Sequence, residues 1–145
     1  MAEPTGAGPH RQRDARATAT GAGRVLVAVY GIFALSATAR AAVQIAGKFD
    51  AAPLAYLLSA LAGVVYILAT VGLAGTRPWA RTLAWAAVGF ELTGVLVVGT
   101  LTVLDAAAFP DDTVWSFYGR GYGFVPLVLP LVGLWWLHRT RALPG

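Results

Sequence analysis

Four apolar stretches separated by charged or turn-rich breaks constrain this chain more than any other feature. They run Arg24–Ala46, Ala52–Ala74, Thr82–Leu104 and Gly119–Leu137. Each is about the length a helix needs to cross ~30 Å of hydrocarbon at ~1.5 Å per residue. The expected fold is therefore all-α: an integral membrane four-helix bundle with antiparallel neighbouring helices. Of the 145 residues, 57% are hydrophobic and 12% charged, against about 25% charged in a soluble domain. No segment outside the apolar stretches is long enough to build its own core. Cysteine is absent, which excludes disulfides, thiolate metal sites and cysteine nucleophiles.

The charges set an orientation. Threaded alternately, four helices put Arg11, Arg13, Arg16, Arg24, Arg77, Arg81, Arg139 and Arg141 on one side. The other side holds Lys48 and Arg120 with Asp50, Asp105, Asp111 and Asp112. Basic residues favour the cytoplasmic side, so both termini are expected in the cytoplasm of a bacterial cell. Ten of the eleven basic residues are Arg, in keeping with a high-GC bacterial genome. The net charge of +4 is spent at helix ends, where it meets anionic headgroups, and nucleic-acid binding is not expected. Aromatic residues fit the same register: Trp79, Trp85, Trp135 and Trp136 near the inner interface, and Phe49, Tyr56, Trp115, Phe117, Tyr118 and Tyr122 near the outer one. A rival reading takes Arg11–Ala39, ending in the small-residue site Ala37-Thr38-Ala39, as a cleaved signal peptide, leaving three helices, but the apolar run resumes at Ala41–Ala46.

Residues 1–23 lack apolar periodicity and are expected to form a disordered cytoplasmic tail. The membrane domain spans 24–141, followed by a short tail, 142–145. Within the outer break, Pro110-Asp111-Asp112 resembles a helix start. Residues Val114–Tyr118 would then form a short interfacial helix before helix 4, with Gly119, Gly121 and Gly123 allowing re-entry. This segment reads as an aromatic anchor or as a lid whose ligand-contacting residues would be Asp111, Asp112, Trp115, Tyr118, Arg120 and Tyr122. Pro126 and Pro130 each remove a backbone donor from helix 4 and suggest a bend.

Arg40 and Glu91 are the charges that need explaining, because each falls inside an apolar span. A charge near the bilayer centre costs ~2.5–3.5 kcal/mol and seeks the bundle interior. Their backbones differ in depth by about 10 Å, a gap an extended Arg covers much of. One reading is a buried Arg40–Glu91 ion pair joining helix 1 to helix 3. Another is a ligand or proton site in a polar cavity lined by Arg40, Gln44, Tyr66 and Glu91. In a third, Arg40 snorkels outward and Glu91 is neutral. Helix 1 carries Ser36, Arg40 and Gln44 at i, i+4 and i+8. Helix 2 carries Tyr56, Ser59, Gly63, Tyr66 and Thr70 on one face. Small residues in such stripes permit close helix approach.

Catalytic motifs are missing. His10 and His138 lie in the tails, so neither a metal-ligand cluster nor a Ser-His-Asp set is credible. No cofactor is expected. From RVLVAVYGIFALSATAR (24–40) to YGRGYGFVPLVLPLVGLWWLHR (118–139) the pattern resembles a group of small four-helix integral membrane proteins of actinobacteria. That resemblance implies a plasma-membrane location and says nothing of chemistry. Small multidrug transporters are also four-helix proteins with a membrane Glu, but theirs is in the first helix, whereas Glu91 is in the third. The leading functional expectation is a non-enzymatic multi-pass membrane protein, an accessory or self-associating bundle whose partners are the bilayer and a second copy or another membrane protein. The alternative is a small transporter or ligand-binding bundle for an amphipathic or anionic solute, using Arg40 and Glu91.

Overall fold

The computed structural model describes the backbone of residues 9–140 and the side chains of residues 21–140. It is helical: α1 (Pro9–Lys48), α2 (Pro53–Ala74), α3 (Pro78–Leu104) and α4 (Val125–Thr140). α2 and α3 begin at a proline, where no backbone N–H is needed and the fixed φ suits a first turn. That explains why α3 starts at Pro78, a turn before the expected Thr82. In α1 no proline follows Pro9 before Lys48, and Ala, Arg and Gln favour helix. Residues 9–23, expected to lack structure, are thus part of α1, while residues 1–8 and 141–145 lie outside the described residues.

The helices are linked at two ends. The turn end holds the tight connection 75–77 between α2 and α3. The loop end holds the link 49–52, which contains a 3-10 turn, and the long connection 105–124. α1 packs on α2, α2 on α3, α3 on α4, and α4 on α1. Glycines set the closest approaches. A Cβ on Gly72 would lie 2.6 Å from the Ala84 backbone nitrogen, and one on Gly63 would lie 2.9 Å from the Thr38 hydroxyl. At the turn end Arg81 donates to the Leu137 carbonyl, and to the Thr140 hydroxyl at 3.0 Å. It satisfies one of the last carbonyls of α4, which have no donor within the helix.

The core is the reverse of a soluble one. Many buried positions are small, among them Ala34, Ala37, Ala62, Ala69, Ala84 and Ala87. Bulky aliphatics point outward, with Leu35 73%, Val43 72% and Leu104 76% exposed. In water that surface would be an extended adhesive patch; against lipid tails it costs nothing, and small residues let the helices meet. Among the described residues three helices are long and apolar enough to cross a membrane, Gly21–Ala51, Pro53–Ala74 and Pro78–Leu104, or four if α4 is counted with the segment before it. These are the dimensions of a membrane protein.

The expected fourth span, Gly119–Leu137, needs correction. Within the described residues α4 covers Val125–Thr140, about 24 Å of helix. The preceding segment Ser116–Tyr122 is bent 99° from it. Phe117, Tyr118, Gly119, Gly123 and Phe124 all have positive φ, from 50° to 85°, a region that no α-helix of L-residues uses. Nor does an interfacial helix form at Val114–Tyr118. Val114 and Trp115 are each 1% exposed and belong to the main core. The segment enters the protein instead of lying on its surface. Tyr56 is at the loop end as expected, buried and bonded to Asp111. Pro126 falls in the first turn of α4, so Pro130 alone removes an interior helix bond.

Candidate functional site

Two polar groupings emerge, and they divide the residues that the sequence places together. The first is inside the helices. Glu91, wholly buried, accepts a 2.5 Å hydrogen bond from the Tyr30 hydroxyl through Oε1, while Oε2 has no partner. Tyr66, also wholly buried, lies beside Tyr30, their ring centroids 6.1 Å apart. Its hydroxyl accepts the Trp115 indole N–H at 3.1 Å. Trp115 reaches this depth because α3 has no side chain at Gly94, where a Cβ would come within 2.7 Å of the indole. Phe33 bridges onward, 5.7 Å from Tyr66 and 5.8 Å from Tyr122.

The second grouping is at the loop end. Arg40 Nη1 donates to the Tyr122 hydroxyl at 2.6 Å, and Nη2 to the Asp112 carbonyl oxygen at 3.3 Å. These residues border a cavity of about 360 Å³, also lined by Thr113, Ser116, Phe117, Arg120 and Gly121. The loop is held by its own bonds. Thr113 N–H donates to Ser116 Oγ at 2.8 Å and Trp115 N–H to Thr113 Oγ1 at 3.0 Å. Phe117 N–H donates to Thr102 Oγ1 of α3 at 2.8 Å. Tyr118 fits over Gly99, where a Cβ would overlap its ring, and its hydroxyl lies 3.0 Å from Thr100 Oγ1. The Arg120 guanidinium sits 4.2 Å from the Phe117 ring centroid, an attraction that leaves its hydrogens free for an anion.

A latch joins this loop to α1 and α2. Asp111 accepts the Tyr56 hydroxyl at 2.9 Å and the Asp112 N–H at 2.8 Å, and pairs with Lys48 at 3.6 Å. The Tyr56 hydrogen bond holds the Asp111 carboxyl below its ordinary value. The Asp112 N–H, Lys48 and Arg40 add to that, and partial burial opposes it.

Arg40 and Glu91 therefore do not form the expected ion pair. Among the described residues the one ion pair is Lys48–Asp111. Of Arg40, Gln44, Tyr66 and Glu91, Arg40 alone borders the loop-end cavity. Gln44 is 6% exposed, and its Oε1 has no partner. The outer-loop residues separate similarly. Asp112, Arg120 and Tyr122 border the cavity, Asp111 forms the latch, and Trp115 and Tyr118 are wedged against α3.

No family model, curated protein or solved structure matches the chain. Chemistry must be read from the geometry. Among the described residues no three His, Cys, Asp or Glu side chains gather as a metal site requires. The cavity offers two guanidinium groups, hydroxyls and one carboxylate, a set suited to holding an anion.

Sequence reasoning missed Tyr30, Thr113, Ser116 and Phe117. For Tyr30 a signal existed. Tyr30, Ala34, Ala37, Ala41 and Gln44 repeat at helical spacing and are all buried, whereas the 36/40/44 stripe runs obliquely, with Ser36 exposed. The loop residues had no periodicity to reveal them.

Proposed function

We propose that this protein is a multi-pass bacterial plasma-membrane protein of four antiparallel spans, with both termini cytoplasmic, that binds an anionic group at its outer face without catalysing a reaction. The loop end is then external and the turn end cytoplasmic. Support for the orientation comes from Arg24, Arg77, Arg81 and Arg139 at the turn end, opposite Asp50, Asp105, Asp111 and Asp112.

The observation that carries the binding reading is where Arg40 points. Its guanidinium is bound to Tyr122 and the Asp112 carbonyl, both neutral groups, beside a cavity that Arg120 also lines. Among the described residues no carboxylate hydrogen-bonds the guanidinium, so although its charge acts on Asp111 its fork remains suited to a ligand anion. This favours the ligand-binding reading over an accessory or self-associating role, because the polar groups converge on a cavity and not on a lateral helix face. Glu91 takes no part in the site.

Thermal unfolding of the purified full chain, titrated with inorganic phosphate and with hexanoate at fixed ionic strength, tests this. Occupancy at ~100 times Kd stabilises by about 2.7 kcal/mol. The stabilisation should vanish in Arg40→Gln and weaken in Arg120→Gln. Equal stabilisation of wild type and the double variant, or none in the wild type by either anion, removes the reading.

A further inference from the structure

A second cavity, at the opposite end, lies between α1, α2 and α4. It encloses about 530 Å³ and is bordered by Gly23, Arg24 and Val27 of α1, Leu73 and Gly75 after them in the chain, and Trp136 of α4. That is within the ~300–1,000 Å³ of ordinary small-molecule sites. The Trp136 ring can form one wall because residue 23 has no side chain: a Cβ there would come within 2.7 Å of it. The walls are mostly apolar, with Thr76 among them. The charge at the site is that of Arg24, an exposed residue.

We infer that this groove holds an acyl chain of an anionic phospholipid whose headgroup sits on Arg24. The inference rests on the membrane reading and on the orientation above, not on the anion site at the loop end. Charge decides the lipid class. Across residues 21–140 the acidic residues are Asp50, Glu91, Asp105, Asp111 and Asp112, and none is at the turn end. Among the described side chains Arg24 thus has no acidic neighbour there, and Arg77, Arg81 and Arg139 raise the local positive potential. Depth decides the lipid itself. Trp79, Trp85 and Trp135 are exposed at this end, the position of an interfacial aromatic belt. A headgroup at Arg24 therefore lies at its natural level, with its tail running along Val27 toward the membrane interior. A free anion would leave the apolar walls unused, and a neutral lipid would leave Arg24 unused.

Native mass spectrometry of the full chain released from detergent, with dioleoyl phosphatidylglycerol and dioleoyl phosphatidylcholine as competing probes, tests this. The wild type should retain phosphatidylglycerol about fivefold more, the ratio that ~1 kcal/mol per arginine produces. Arg24→Gln should bring the two lipids to parity. Ala28, exposed and bordering the groove, can be enlarged without repacking the core, so Ala28→Phe should abolish retention of both. Asp105→Asn, at the far end and outside the loop-end cavity, should change nothing. An undiminished preference in Arg24→Gln, or retention in Ala28→Phe equal to wild type, overturns the proposal. So does loss of the preference in Arg120→Gln alone, which would move the lipid to the loop end. Failure of phosphate and hexanoate to bind at Arg40 would leave these outcomes unaffected.

Discussion

The indole N–H of Trp115 donates to the Tyr66 hydroxyl at 3.1 Å, so a residue of the long connection is fastened to the buried face of α2. This bond gives the connection a fixed depth. It puts Arg120 and Tyr122 beside Arg40, and so makes the loop-end cavity a consequence of how Trp115 is seated.

Seating depends on the gap at Gly94. Gly94→Ala would place a Cβ 2.7 Å from the indole, and overpacking of this kind costs about 1–3 kcal/mol. Unfolding in detergent should show that loss. Combining Gly94→Ala with Trp115→Leu should cost less than the two single changes added together, since residues in contact are not additive. Strict additivity would mean that the ring does not rest on Gly94.

Helix approach makes a sharper comparison between two glycines. At Gly72 an added Cβ meets backbone atoms of Ala84 at 2.6 and 2.8 Å, and backbone cannot swing away; at Gly89 it meets nothing within 4 Å. Gly72→Ala should therefore separate α2 from α3 and lower the unfolding temperature. Gly89→Ala should be neutral or stabilising by up to ~1 kcal/mol, the helix-propensity gain. Thermal melts of both variants in one detergent check the sign of each.

Inside the helices, Glu91 has Tyr30 as its hydrogen-bond donor. Tyr30→Phe leaves both carboxyl oxygens without a partner, a change worth about 1–3 kcal/mol in a buried site. Glu91→Gln keeps a carbonyl oxygen to accept the Tyr30 hydroxyl. It should therefore be better tolerated than Tyr30→Phe, an order that denaturant titration of the two variants will read. The reverse order would show that Glu91 has a stronger partner than Tyr30.

The Asp111 latch should respond to acid. Its carboxyl is held below the ordinary value, first by the Tyr56 hydroxyl. A depressed folded value means that the latch contributes fully above the unfolded value, about 3.9, and is lost as pH falls through the lower folded one. Hydrogen exchange over residues 106–124, corrected for intrinsic rates, should accelerate below about pH 4 in the wild type. In Asp111→Asn it should already be faster at neutral pH and lack that step. Because Asp111 Oδ2 is partly exposed, solvent screening keeps the effect modest.

Apolar run length by itself marked α1, α2 and α3 as membrane-crossing elements, since spanning a bilayer needs only a helix of sufficient length and greasiness. The buried face of α2 was also legible: Tyr56, Ser59, Gly63 and Tyr66 are all buried, because a 3.6-residue period is a local property. Neither the partners of Arg40 and Glu91 nor the course of residues 105–124 could be read that way. Arg40 binds Tyr122, 82 positions away, and Glu91 binds Tyr30, 61 positions away. Which of several polar groups a long side chain meets depends on how the helices rotate and where the loop enters. Those are set by close contacts at Gly63, Gly72, Gly94 and Gly99, which exist only once the helices have packed. Composition and period supplied the solvent and the spans; tertiary contact assigned each buried charge its neighbour.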